Sequence, residues 1–152
     1  MLTTRDWRLF GLARYIGGWS KDQSRKVGAV IADSSGGVRA VGYNGLPRGA
    51  SEEWESRHLA PDKYLWTEHA ERNAIFEAAR MGIRVEGCTM YLPWFPCMDC
   101  ARAIVQVGIT RLVAVEPDHS DARWGDHFIA ARELFHEAGI EIEWANLDAR
   151  AE

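Results

Sequence analysis

From Thr4 to about Gly17 the apolar residues Trp7, Leu9, Phe10, Leu12, Ala13 and Ile16 recur at helical spacing, and Gly17-Gly18 ends the run. That spacing predicts an amphipathic helix with Thr4 as its N-cap. The period then changes. Val27–Ala32 and Val38–Tyr43 are short β-rich runs on either side of Asp33-Ser34-Ser35-Gly36-Gly37. The two glycines permit the positive φ of a hairpin turn, so two antiparallel strands are predicted. Helical spacing returns from His69 to about Met81 through Ala70, Ala74, Ile75, Ala78 and Ala79, and Gly82 is placed to close it.

The remaining elements follow the same rules. Cys88–Leu92 is a strand stopped by Pro93, and Cys97–Val107 is a helix with Ala101, Ile104 and Val105 on one face and Gly108 at its end. Arg111–Val115 is a strand, Trp124 or Gly125 to Ala138 a helix closed by Gly139, and Ile140–Trp144 a last strand. The tail from Asn146 is expected to fray or to add a short helical turn. Two stretches show neither period. The connection from Asn44 to Trp66, with Pro47, Gly49 and Pro61, reads as a lid or rim, and Asp118 to Asp126 reads as a polar loop. Strands alternating with helices imply an α/β fold with crossover connections. At 152 residues, without a repeat or linker, the chain is expected to be one domain over 1–152.

Composition narrows the partners. With 47% hydrophobic and 26% charged residues the chain is ordinary for a globular domain. A net charge of -4 and a pI of about 5.7 have the wrong sign for gripping polymeric nucleic acid, so a small ligand fits better. The first residues lack a basic region followed by an apolar run, and no stretch is long and apolar enough to span a membrane. The expected compartment is therefore the cytoplasm. Cys88, Cys97 and Cys100 are an odd set for a disulfide framework.

Chemistry concentrates in His69-Ala70-Glu71 and Pro96-Cys97-Met98-Asp99-Cys100. A catalytic zinc takes three protein ligands and keeps a fourth position open, and His69, Cys97 and Cys100 supply the three. Cysteines three apart at a helix start share a face, where the helix N-terminus favours thiolate. Glu71, two positions from His69, is suited to move protons between a zinc-activated water, a ring nitrogen and a departing amine. A structural zinc would need a fourth protein ligand. Cys88 is the remaining cysteine, and strand alternation puts it beside Met90 and Leu92 as a core thiol. A thioredoxin-like reading of the C-x-x-C pair leaves His69 and Glu71 without a role. H-x-E…P-C-x-x-C is the signature of zinc-dependent base deaminases.

The chain resembles the deoxycytidylate (dCMP) deaminases of the cytidine deaminase superfamily. The resemblance is carried by Ser20-Lys21-Asp22, Val27-Gly28-Ala29-Val30-Ile31, Gly42-Tyr43-Asn44-Gly45-Leu46-Pro47 and Asp62-Lys63-Tyr64. It continues through His69 to Ile75, Phe95 to Ala101 and Ile104 to Ile109. It implies a three-layer αβα sandwich around a mixed five-stranded sheet, hydrolysis of dCMP to dUMP and ammonia, one Zn2+ per chain and a homo-oligomer. It also implies that His69, Cys97 and Cys100 bind the metal, Glu71 shuttles protons, Asn44 contacts the sugar and the Ala70 backbone N–H contacts the pyrimidine carbonyl. Asn44 alone, beside Gly45, reads as a turn residue. Lys21, Arg25, Lys26 and Arg48 cluster in sequence near the hairpin; Lys21 is the first choice for a phosphate partner and Arg48 the second.

Departures from the family pattern are Gly49-Ala50 and Glu68, where the family often has cysteines, and Pro117 to Trp124, where it often has a tyrosine. A second, structural zinc is not expected. The rival readings are deamination of another small base, nucleoside or modified nucleotide, and a catalytically silent nucleotide-binding subunit. His119 and His127 read as ordinary histidines, and the seven tryptophans are not divided by sequence between core, pocket and interface.

Overall fold

The N-terminal helix is realised as α1, Thr4–Gly17, in the computed structural model, which describes residues 1–146. Its cap is Thr3 and not the expected Thr4. The Thr3 hydroxyl accepts from the Asp6 backbone N–H at 3.2 Å, and the Asp6 carboxylate accepts from the Thr3 backbone N–H at 2.8 Å. This reciprocal capping box requires an acceptor three residues after the cap, and from Thr4 that position is Trp7.

The hairpin strands are β1, Gly28–Ala32, and β2, Val38–Tyr43; then come β3, Thr89–Leu92, β4, Arg111–Ala114, and β5, Glu141–Trp144. The remaining helices are α2, Lys63–Trp66, α3, Ala70–Met81, α4, Met98–Gln106, and α5, Gly125–Glu137. The sheet order is β2-β1-β3-β4-β5, with β1 antiparallel to both neighbours and β3, β4 and β5 parallel. The expected mixed five-stranded sheet is therefore present, and α4 and α5 are the crossovers that parallel neighbours require. The tail from 147 lies outside the described residues.

Strand alternation sorts side chains to two cores. Ala29, Ile31, Met90, Leu92, Leu112 and Ala114 pack with α3, α4 and α5. Val30, Ala32, Tyr91 and Val113 pack with Leu9, Phe10 and Ala13 of α1. The result is the three-layer arrangement, with α1 on one face of the sheet and α3, α4 and α5 on the other. Fully buried Phe10, Phe128 and Phe135 each contribute about 1.5–3 kcal/mol of burial. Cys88 is buried in the three-helix core, where desolvation raises its thiol pKa.

Two glycines set how closely helices approach the sheet. A Cβ on Gly42 of β2 would lie 2.3 Å from the Ala74 nitrogen and 2.4 Å from the Ala70 carbonyl, so α3 rests directly on that strand. Gly28 does the same for α1, where a Cβ would lie 2.0 Å from the Ala13 carbonyl.

The 44–66 connection is ordered by a 3-10 turn, Glu55–His58, and by α2, each a single turn and so invisible as a period. Paired backbone hydrogen bonds between Gly45 and Glu68, at 3.0 and 2.8 Å, close its base. On the α1 face, the Asp6 carboxylate accepts from the Tyr91 hydroxyl at 2.9 Å and from Arg111 at 2.8 Å, and Arg111 also donates to Glu143 at 3.0 Å. Among the described residues no helix is long and apolar enough to cross a membrane.

Candidate active site

His69 is the N-cap of α3, Cys97 is the N-cap of α4, and Cys100 is the third residue of α4. Each cap carbonyl already accepts the first helical bond, from Asn73 at 2.9 Å and from Ala101 at 2.8 Å, so both helix starts are fixed. Glu68, where the family often has cysteine, accepts from the His69 backbone N–H at 3.0 Å and from Arg72 at 2.7 Å, and so anchors the entry to α3.

The two thiol sulfurs lie 3.5 Å (Cys97) and 3.4 Å (Cys100) from His69 Nδ1, and the three donor atoms all lie within 4.8 Å of one another. Nitrogen and sulfur ligands of one tetrahedral zinc are separated by about 3.5 Å, given bonds of about 2.0–2.1 and 2.3 Å. The donor set and its spacing therefore fit Zn2+. Bound there, zinc would act as a Lewis acid that makes water a source of hydroxide near neutral pH. His127 is not part of this group; its Nδ1 accepts from the Met98 backbone N–H at 3.4 Å.

The Cys100 thiol and then His69 hydrogen-bond to Cys97 and hold it well below the usual thiol range, while the Cys97 thiolate and burial push Cys100 up. Its hydrogen bond with Cys97 raises His69. Glu71 is 3% exposed, and burial raises its carboxyl against the opposing charge of His69. Raising a carboxyl above its ordinary value makes it a better proton acceptor, the property a proton carrier needs.

A cavity of about 250 Å³ opens onto Glu71, His69, Cys97, Ala70 and Asn44, slightly below the usual range of about 300–1,000 Å³ for ligand pockets. Ala70 is the first residue of α3, so its backbone N–H lacks a partner within the helix. The Asn44 side chain accepts from the Val27 backbone N–H at 2.8 Å and donates to the Arg25 carbonyl at 2.9 Å. It lines the cavity while stitching two backbone segments together.

The two cations favoured for phosphate are not in this cavity. Lys21 points away to an exposed pair with Glu52, at 2.5 Å, and Arg48 lies 3.6 Å from Glu77 of α3. The cause is local. Asp22 accepts from the backbone N–H of Ser24 and Arg25, a turn that separates Lys21 from Arg25 and brings the latter to the cavity. Also at the cavity are Arg123, Tyr64, Trp94 and Trp124, whose roles the sequence reading did not assign. Lys63 is there too, but its ammonium is buried against both Asp22 carboxylate oxygens at 3.1 Å. The Trp124 ring packs edge-on at 5.6 Å from His69.

A His-Cys-Cys metal group with a buried glutamate beside it, at helix starts on one face of a mixed sheet, defines a zinc-hydrolase type of site. The profile of the family described as the cytidine and deoxycytidylate deaminase zinc-binding region matches residues 4–116. The Aliivibrio fischeri "Uncharacterized deaminase in luxG 3'region" is 40% identical over 144 residues, covering 93% of each chain. The human deoxycytidylate deaminase is 37% identical over 126 residues, covering 80% of this chain and 68% of the human one. In fold, the dCMP deaminase of cyanophage S-TIM5, solved with dCMP and dUMP, superposes with a TM-score of 0.77 at 24% identity, over 95% of this chain and 99% of that one. The chain belongs to the cytidine and deoxycytidylate deaminase family.

Proposed function

We propose that the chain catalyses zinc-dependent hydrolysis of dCMP to dUMP and ammonia, a step of pyrimidine deoxynucleotide metabolism. The observation that carries this reading is the buried Glu71 beside the His69, Cys97 and Cys100 donors, in a cavity shared with Asn44 and Ala70. His69, Cys97 and Cys100 hold the ion. Glu71 takes a proton from the attacking water and delivers it to the ring nitrogen, then carries a second proton, from the hydroxyl now on the ring carbon, to the amine as it leaves, so that the carbonyl forms as the C–N bond breaks. The Ala70 N–H donates to the pyrimidine carbonyl, and Asn44 contacts the sugar with the hydrogen-bonding capacity its two backbone bonds leave free. Support for dCMP comes from relatives named for that substrate.

The rival substrate is another cytosine nucleotide with a modified base. It is favoured by one observation: Trp124, from the segment that departs from the family pattern, stands against the His69 ring. Incubating zinc-loaded protein with dCMP, deoxycytidine and 5-substituted dCMP, and following ammonia, decides between them. Turnover of dCMP above the rest is expected; no turnover of dCMP overturns the substrate assignment. The enzyme is read as cytoplasmic, where a reducing milieu keeps the free thiols of the metal group available. It is also read as a homo-oligomer, with exposed Tyr15, Trp19, Trp54 and Leu65 as surface for a second copy. Light scattering tests the latter, and a monomer overturns it.

A further inference from the structure

We infer that Arg25 and Arg123 together select a terminal phosphate, gripping it between two guanidinium groups that aromatic rings hold at the cavity. This deepens the nucleotide reading above and rests on it. The Arg25 guanidinium carbon lies 3.6 Å from the centroid of the Trp94 ring, and that of Arg123 lies 3.2 Å from the centroid of the Tyr64 ring. Both arginines, both rings and the Glu71 end of the cavity belong to one pocket. The supports come from separate parts of the chain: Arg25 precedes β1, Trp94 follows β3, Tyr64 belongs to α2, and Arg123 lies just before α5.

A guanidinium laid on an aromatic face keeps its N–H donors at the edge, where they can meet an oxyanion in pairs. Among the described residues neither guanidinium has an ion-pair or hydrogen-bond partner, whereas the third cation, Lys63, is neutralised by Asp22. The acids facing the pair are Asp22 and Asp121. Asp22 is bound by Lys63 and by the backbone N–H of Ser24 and Arg25. Asp121 accepts from the backbone N–H of Arg123 and Trp124, at 2.9 and 2.8 Å, and Arg25 helps keep it ionised. Both acids thus shape the turns that present the arginines. The ligand chemistry that meets two unpaired guanidinium groups is a phosphate monoester, which carries close to two negative charges at neutral pH.

The test compares dCMP with deoxycytidine, which lacks the phosphate, in zinc-loaded wild type, Arg25→Ala, Arg123→Ala and the double variant, each checked for an unchanged melting temperature. Each single change is expected to raise KM for dCMP about tenfold or more, as loss of a charge-assisted contact does, with kcat changed less than about threefold. In the double variant the ratio of kcat/KM for dCMP to that for deoxycytidine is expected to fall by on the order of a hundredfold. Arg123→Lys, which keeps the charge without the fork, is expected to recover part of the loss. Equal losses for both compounds, or an unchanged KM for dCMP, would overturn the assignment.

Inorganic phosphate tests the grip without the base. A rise in the melting temperature of wild-type protein that the double variant loses supports the two arginines even if no cytosine nucleotide is turned over, and in that case the substrate reading fails alone. No rise in the wild type, or the same rise in the double variant, counts against them.

Discussion

Asp6 and Glu71 are both buried carboxylates, one on each face of the same sheet, and their surroundings could hardly differ more. Burial alone would raise both. Around Asp6, hydrogen bonds from Arg111, Thr3 and Tyr91 outweigh burial and hold the carboxyl well below its usual range. Tyr91 in turn is pushed up to about 12, by burial and then by its bond to Asp6. Around Glu71 the neighbours are His69 and the two thiols, and burial wins. A carboxylate saturated with donors is locked in one charge state and serves the fold. One whose carboxyl is raised by burial, next to a metal group and a cavity, is the one to which the proposed reaction assigns proton transfer.

The sharpest way to break this contrast is to remove the metal group. His69→Ala is expected to lose stoichiometric zinc and all measurable deamination, read by metal analysis and ammonia release. Glu71→Gln should keep one zinc per chain while kcat falls by on the order of a thousandfold. Retention of full activity would show that Glu71 is not the proton carrier. Asp6→Asn should do the reverse: activity at low temperature stays near wild type, while stability drops by about 2–3 kcal/mol, or roughly 5–10 °C in Tm.

Acid sharpens the comparison further. Because the folded Asp6 carboxyl is held below its unfolded value of about 3.9, its stabilising effect is complete above that pH and is lost as the pH falls through the folded value. The stability advantage of the wild type over Asp6→Asn should therefore shrink in denaturant melts as the pH is lowered from about 5 toward 2. The smallest effect is expected for Lys21→Ala, which removes an exposed pair with Glu52: KM for dCMP should stay within about twofold of wild type.

Most of the sheet and the metal group were legible because each rests on a short-range rule. Period two sent Met90 and Leu92 to one core and Tyr91 to the other, and the Cys97–Cys100 spacing put both sulfurs on one helix start. Thr3 was misjudged by one position because the deciding feature was the reciprocal exchange with Asp6, a T-x-x-D pattern that could have been read. The two cations favoured for phosphate lie outside the cavity for a different reason. Lys21 and Arg25 are four residues apart, but the Asp22 turn between them sends one to Glu52 and the other to Trp94. Arg123 meets Tyr64 across 59 positions of chain (123 − 64), a proximity that only the assembled sheet creates. Local pattern reaches the helix ends that carry the metal donors. It does not reach a rim assembled from distant loops.

Asn44 joins these two levels. Its side chain ties the exit of β2 to the backbone of Arg25 and Val27, and its own carbonyl accepts from the buried Ser20 hydroxyl at 2.8 Å. The residue that lines the cavity beside Glu71 and Ala70 therefore also fixes where the Arg25 segment begins. If the sugar and phosphate contacts proposed above hold, one amide spaces base from phosphate: a change at residue 44 shifts the Arg25 segment, and compounds one bond shorter or longer than a 5′-monophosphate are the ones to register it.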